Sequence, residues 1–233
     1  MNIYNRHVLL ILCLLFIGNG SFSQTLGERL RVYVDFLTET DKLSMAIDIE
    51  LRDEADELLE TSKMEYLKRR NSVSAKMEDK LFIFDSDKNM TLNIDYKSKS
   101  IQLAESNNGD LVSTQLRTMI TMFDENEALF EVAEEEKNGL HTYLVSINSE
   151  LLAYYAFSKT ERLSEVIFYQ MGPQYIDGVE INPIMKMDFK YDVNIAISNF
   201  SKFIQKTDGR WVPKPAFDSF EFSDKLSYKS NDN

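Results

Sequence analysis

The chain has 233 residues, of which 43% are hydrophobic and 27% are charged, and its net charge is −12 at pH 7. This length suits one domain or two small ones, and the composition excludes a disordered or fibrous protein. The acidic balance argues against nucleic acid as a partner, because nucleic-acid binding needs a basic face that displaces counterions from phosphates.

Residues 1–23 have the pattern of a secretory signal peptide. An unbroken apolar run, 8–17, follows the positive charge of Arg6, and small residues precede the expected cleavage point at Ser23/Gln24. The run is too short to cross a bilayer, which takes about 20 apolar residues. We therefore predict cleavage, a periplasmic location and no integral membrane span, with an uncleaved anchor as the alternative. The end of the segment is similar to that of exported proteins of Bacteroidetes-type bacteria.

Removal of this segment changes the chemistry that is open to the chain. It takes away Arg6 and no acid, so the net charge becomes −13, and it takes away the one cysteine, Cys13, and one of the two histidines, His7. His141 then remains alone, so neither a histidine cluster for zinc nor a thiol nucleophile is possible. We predict no metal, no cofactor and no catalytic residue. A hydrolase that uses paired carboxylates is the enzymatic alternative.

A helix opens the mature chain and strands follow it. Leu26, Leu30, Tyr33 and Leu37 recur at helical spacing, while Arg29 is assigned to the outer faces. The period then changes to two, which predicts strands joined by short polar turns and an acidic loop at 53–60. The predicted strands of this antiparallel meander are 44–51, 62–69, 72–77, 80–84, 90–96 and 100–104.

A central helix divides the two series of strands. Leu116, Met119, Ile120 and Phe123 mark one face of it, and Asn138-Gly139 predicts a tight hairpin further on. The remaining predicted elements are strands at 130–136, 140–147, 151–157, 163–171 and 184–191, a short helix at 198–205 and a last strand at 217–222. No linker interrupts the series, so we predict one domain over 24–226 and a flexible tail at 227–233. The fold class is α+β, with a large antiparallel sheet whose apolar face is covered by two or three helices.

Methionine is the unusual component of the predicted strands. Of ten methionines, nine remain after the signal peptide, and most fall on strands or on the central helix. Unbranched, polarizable side chains repack around varied apolar guests, although they also fill irregular gaps in an ordinary core, and the pattern leaves both readings open. The candidate lining of an apolar ligand cavity is Met45, Ile47, Ile49, Met64, Tyr66, Met77, Met90, Leu92, Met119, Phe123, Met185 and Met187.

Two short segments resemble a known family. Residues 67–73, Leu-Lys-Arg-Arg-Asn-Ser-Val, are similar to the K-R-P-N segment of the LolA-like periplasmic lipoprotein carriers, and residues 84–92 are similar to the D-G-K hairpin of that family. The order of helices and strands agrees as well. Arg70 stands where the family has proline, and Val73 stands where it has an aromatic residue.

The resemblance implies a strongly curved antiparallel sheet, an incomplete barrel that helices close on its open side. It implies a cavity that holds acyl chains, and Arg69 matches the family arginine that governs the opening of the lid. We therefore expect an exported carrier or sensor whose partners are lipid or lipoprotein acyl chains, or another apolar ligand. The alternative is a non-catalytic interaction module of a cell-envelope assembly, with envelope proteins as partners.

Overall fold

The computed structural model describes residues 24–106, 117, 120, 121, 129–169, 172, 174–176 and 179–226. The chain divides into two compact units. The described parts of residues 1–39, 47–62 and 112–190 form the first unit, and those of 40–46, 63–111 and 191–233 form the second. The single domain expected over 24–226 stays a prediction.

The described residues contain two helices and sixteen strands. The helices are α1 (Gln24–Glu39) and α2 (Phe200–Phe203), and a 3₁₀ turn spans Pro215–Phe217. The strands are β1 (Lys42–Arg52), β2 (Leu58–Arg69), β3 (Ser72–Met77), β4 (Lys80–Asp85), β5 (Met90–Asp95), β6 (Ser100–Glu105), β7 (Glu131–Lys137), β8 (Leu140–Ile147), β9 (Glu150–Phe157), β10 (Leu163–Phe168), β11 (Gln174–Ile176), β12 (Val179–Ile181), β13 (Ile184–Tyr191), β14 (Ile204–Thr207), β15 (Arg210–Pro213) and β16 (Glu221–Lys225). Most of the predicted central helix lies outside the described residues, although 117, 120 and 121 are helical.

Twelve strands form one sheet in the order β16-β6-β5-β4-β3-β2-β1-β13-β10-β9-β8-β7. The ladders from β2 to β6 and from β7 to β10 and β13 are antiparallel, while β16 runs parallel to β6. The sheet begins at β16 and ends at β7, so it does not close into a barrel. The predicted α+β fold class, a large antiparallel sheet that stays open and is accompanied by helices, is confirmed.

The turns between strands follow the local sequence with one correction. Asn138 and Gly139 have φ values of +55° and +76°, as the predicted two-residue hairpin between β7 and β8 requires. The acidic loop is shorter than predicted, because β2 already begins at Leu58. The carboxylate of Asp53 accepts hydrogen bonds from the backbone of Ala55 and Glu57, and this closes the turn within five residues.

The predictions for the C-terminal region are wrong in detail. The helix expected at 198–205 is only the four residues of α2, because a hairpin of β14 and β15 begins at Ile204. Asp208 and Gly209 form its turn with φ values of +50° and +78°. The last strand lies at Glu221–Lys225 rather than 217–222, because a 3₁₀ turn occupies Pro215–Phe217. The strands β11, β12, β14 and β15 were not predicted.

The core of the second unit lies between α2 and one face of β4, β5 and β6. Phe200, Phe203 and Ile204 are buried against a cluster of strand residues. The strand residues of this cluster are Leu81, Ile83, Met90, Leu92, Ile94, Ile101 and Leu103. Trp211 and Phe217 pack around the cluster, so the C-terminal region completes this core.

The turn after β5 makes the stability of the second unit depend on pH. The backbone N–H groups of Ser98 and Lys97 donate to Asp95 Oδ1 at 2.9 and 3.0 Å, and the bond from Ser98 is the main cause that holds the pKa of Asp95 below its ordinary value of 3.8. A lowered pKa in the folded state stabilises the fold above the ordinary pKa, and this stabilisation is lost as the pH falls through the folded-state value.

We therefore expect Asp95→Asn to flatten the acid branch of the stability curve. Between about pH 5 and about pH 2, the urea midpoint of the wild type should fall more steeply than that of the variant. Fluorescence of Trp211, the one tryptophan of the chain, reports the unfolding of this unit. Asp218→Asn, at an exposed position, controls for the loss of one charge. Parallel acid branches for wild type and Asp95→Asn would contradict the prediction.

Candidate functional site

An apolar face of the first unit is built from two rows of side chains on four strands. Partners in a ladder project to the same face of a sheet. The first row is Tyr143, Tyr155, Val166 and Met187, and the second row is Val145, Ala153, Phe168 and Met185. All eight side chains are buried. These two rows are called the Tyr–Met face below.

Helix α1 buries the apolar side that its spacing predicts and contacts the Tyr–Met face at Tyr143. Leu26, Leu30, Tyr33 and Leu37 are buried, as expected. Arg29 is a correction, because it is half-buried and turned toward the sheet rather than toward solvent. It lies three residues after Leu26 and four before Tyr33, which places it on the same side of the helix.

A polar network holds α1 to the sheet at this point. Arg29 Nε donates to Tyr143 Oη at 2.5 Å, and the guanidinium also pairs with Glu161. Tyr143 Oη in turn donates to Glu134 Oε1 at 3.1 Å. Two turns of the helix further on, the guanidinium carbon of Arg162 lies 4.8 Å from the ring centre of Phe36. Helix α1 is therefore fixed by charged contacts as well as by apolar packing.

In this network Arg29 is a cation and Tyr143 is a neutral phenol, which agrees with the hydrogen bonds that they form. Burial by itself would lower the pKa of Arg29, but the bonds to Glu161 and Tyr143 raise it above its ordinary value, so the group stays a cation. Burial raises the pKa of Tyr143, with a smaller opposing effect from Arg29, so the phenol stays neutral. Tyr143 thus accepts from a fixed cation and donates to a carboxylate.

The hydroxyl of Tyr155 differs from that of its neighbour in the same row. The side chain is 3% exposed, and Oη has no hydrogen-bond partner among the residues that the structure describes. Its ring meets that of Phe168 edge to face at 6.3 Å between ring centres. Burial raises the pKa of Tyr155, so the hydroxyl stays protonated as a donor.

Four of the predicted lining residues lie together in the first unit. Met185 and Met187 belong to the Tyr–Met face. Asp48 of β1 forms an ion pair with Lys190 of β13, and alternation along both strands then places Ile47 and Ile49 on the face of the two methionines. Met119 and Phe123 lie outside the described residues.

The predicted lining residues of the second unit are divided between two faces of the sheet. Met90 and Leu92 lie in the core under α2. Met64 pairs with Met77 and Tyr66 pairs with Ala75, and the ladders through β3 and β4 place these side chains on the opposite face. Met45 is buried on the face of β1 that carries its odd-numbered residues. The predicted set therefore does not line one surface.

Arg69, the predicted lid residue, lies at the end of β2. Its backbone pairs with Ser72 next to the Arg70-Asn71 turn, where Arg70 has a φ of +49°, and its side chain is exposed. A proline could not adopt this φ. The lid role of Arg69 stays a prediction.

The Tyr–Met face carries apolar side chains and the hydroxyls of Tyr143 and Tyr155, which can bind through apolar contact and hydrogen bonds. In the described part of the chain, no group of three or more His, Cys, Asp or Glu side chains lies close enough to hold a metal ion. Among the described helices, none has the length and apolar character needed to cross a membrane.

Sequence reasoning did not identify Arg29, Tyr143 and Tyr155 as site residues. The signal was present for Arg29, because its spacing from Leu26 and Tyr33 places it on the apolar side of α1. Strand alternation also places Tyr143 on the more apolar face of β8, whereas both faces of β9 are apolar and alternation does not select the face of Tyr155. What the sequence does not contain is the ladder register that makes Tyr143 and Tyr155 direct neighbours.

No protein-family model and no curated protein matches the sequence. Among solved structures, the chain is similar to a DUF1329 family protein from Desulfovibrio piger, at 10% identity and a TM-score of 0.31, over 74% of this chain and 94% of that one. A LolA superfamily protein from Nitrosomonas europaea gives 9% identity and a TM-score of 0.29, over 73% and 94%. An outer membrane lipoprotein-sorting protein domain from Vibrio parahaemolyticus gives 9% identity and a TM-score of 0.26, over 72% and 95%. The solved structures that this chain is similar to thus include a LolA superfamily protein.

Proposed function

We propose that the protein is an exported, non-catalytic carrier or sensor that binds an acyl chain or a similar apolar ligand on the Tyr–Met face. Helix α1 is the cover of this site, and the periplasm is its location. The ligand class is lipid or lipoprotein acyl chains. The signal-like residues 1–23, the methionine-rich strands and the family-like segments 67–73 and 84–92 support this proposal.

The observation that carries the proposal is how α1 is attached to the sheet. Its half-buried Arg29 bonds to Tyr143 and pairs with Glu161, whose side chain is 40% exposed. Charged groups near a surface can exchange such contacts for water at a small net cost. An attachment of this kind lets α1 lift without exposing an unpaired charge in the core.

The apolar contacts that α1 loses when it lifts can be replaced by those of a chain-like ligand. Lifting α1 exposes the buried side chains of the Tyr–Met face to water, which is unfavourable. Each CH₂ group that an acyl chain buries there is worth about 0.8 kcal/mol. Several CH₂ groups therefore offset the contacts that α1 gives up, so a ligand with differential affinity for the open state shifts the equilibrium toward it.

Native mass spectrometry of the purified protein, together with titration of a fluorescent acyl probe, tests the function. We expect co-purified lipid or stoichiometric binding of the probe. Protein that carries no lipid and binds no probe would contradict the carrier. Protein partners recovered by crosslinking in cells, without any lipid binding, would instead support the interaction module.

If α1 must lift before a ligand enters, weakening its attachment to the sheet should speed the entry of an acyl probe. Arg29→Met keeps a long side chain but removes the guanidinium, so we expect the acyl probe to enter about tenfold faster, which corresponds to about 1.4 kcal/mol of lost attachment. Stopped-flow fluorescence measures this rate. Glu28→Met, which removes a charge at an exposed position on the same helix, is the control. Equal rates for Arg29→Met and wild type would contradict α1 as the cover.

A further inference from the structure

Among the described residues of the first unit, none bonds to the hydroxyl of Tyr155, and the packing around this group does not explain it. A buried tyrosine hydroxyl usually finds a partner, and leaving a buried donor unpaired is costly. Tyr155 is 97% buried, and no described group bonds to its Oη. A phenylalanine would fill the same volume without this cost, so folding alone does not account for the hydroxyl.

The neighbouring tyrosine shows what a purely structural hydroxyl looks like on the same face. Tyr143 is the direct ladder partner of Tyr155. Its hydroxyl accepts from Arg29 and donates to Glu134, so it is paired in both directions. Tyr155 is flanked on its other side by Val166 and meets the ring of Phe168, neither of which offers an acceptor.

We propose that the Tyr155 hydroxyl is the polar anchor of the ligand site and donates a hydrogen bond to a carbonyl oxygen of the bound acyl compound. This inference rests on the proposed function and names its ligand class, which is a neutral acyl ester or amide rather than a plain hydrocarbon. A neutral phenol in apolar surroundings suits a neutral carbonyl, because burying a carboxylate there without a cation is far more costly. The single donor fixes one end of the ligand while the methionines accept variable chains.

The test is Tyr155→Phe, which removes only the hydroxyl, with methyl palmitate and hexadecane as probes. Their affinities are measured by displacement of a fluorescent acyl probe. We expect the wild type to bind the ester more tightly than the alkane. In Tyr155→Phe, the affinity for the ester should fall about fivefold while that for the alkane stays the same, so the preference disappears.

Stability without ligand gives a second readout, which does not depend on any probe. Tyr155→Phe loses no bond within the described residues, so its urea midpoint should equal or exceed that of the wild type. Tyr143→Phe is the matched control, and its midpoint should fall because Arg29 and Glu134 each lose a hydrogen bond. Hydrogen exchange of the β8 and β9 amides follows the unfolding of this unit.

The outcomes separate the two proposals. If the wild type binds neither compound, the proposed function is overturned and this inference falls with it. If the wild type and Tyr155→Phe bind the ester with the same preference over the alkane, this inference alone is overturned. A loss of ligand-free stability in Tyr155→Phe as large as that in Tyr143→Phe would also overturn it, because the hydroxyl would then be paired within the protein.

Discussion

Replacing Phe203 with alanine is expected to lower the free energy of unfolding of the second unit by about 3–5 kcal/mol. Phe203 is fully buried between α2 and the strand core, and its ring lies 5.1 Å from that of Phe217 between centres. The truncation leaves a cavity that the surrounding strands fill only in part. Urea denaturation followed by Trp211 fluorescence measures the change.

The control for this substitution is Ile197→Ala in the segment just before α2. Ile197 is 50% exposed, so its truncation should change the stability by less than about 0.5 kcal/mol. A loss for Phe203→Ala as small as that for Ile197→Ala would contradict the placement of α2 in the core.

The same variant distinguishes between two faces that could hold the ligand. Met90 and Leu92 were predicted to line a ligand cavity, and Phe203 covers them in the second unit. If the ligand binds on the Tyr–Met face of the first unit, Phe203→Ala should leave the affinity for an acyl probe unchanged under conditions in which the protein is folded. A changed affinity would instead favour a site under α2.

Ending the chain after Asp218 is expected to lower the free energy of unfolding of the second unit by a similar amount. The change removes β16, whose backbone pairs with β6, and it removes Phe220 and Phe222, which pack on the core cluster. A partly buried phenylalanine contributes less than the about 1.5–3 kcal/mol of full burial, but two rings, Leu226 and the pairing with β6 are lost together. We therefore expect a loss of more than about 3 kcal/mol and faster hydrogen exchange of the β6 amides. Ending the chain after Leu226 retains β16, so it should leave both quantities near the wild-type values. Equal protection of β6 in the two truncations would contradict the parallel pairing.

The local elements could be predicted because local physics determines them. The apolar side of α1 follows from the spacing of Leu26, Leu30, Tyr33 and Leu37, and the hairpin at Asn138-Gly139 follows from residues that tolerate a positive φ. The strands from β1 to β6 were predicted to within a few residues, because each alternates and is bounded by short polar turns. The short helix at 198–205 was predicted too long, because the hairpin partner of β14 is not local to that segment.

The candidate site could be predicted only in part. The methionines were identified by composition, but Met90 and Met77 face opposite sides of the same sheet. A shift of one residue in register reverses which face a side chain occupies, and register is a property of pairs of strands. The parallel pairing of β16 with β6 joins segments more than a hundred residues apart, so no local pattern reports it.

By itself, the sequence determined the class of elements and their order, the acidic net charge and the presence of methionine-rich strands. Each of these depends on residue types or on spacing within one segment. Only the tertiary structure decided that Arg29 faces the sheet, that Tyr143 is paired and that its neighbour Tyr155 has no hydrogen-bond partner in the described part of the chain. A hydrogen bond needs two groups within about 3 Å, and in this protein those groups come from segments that only folding brings together.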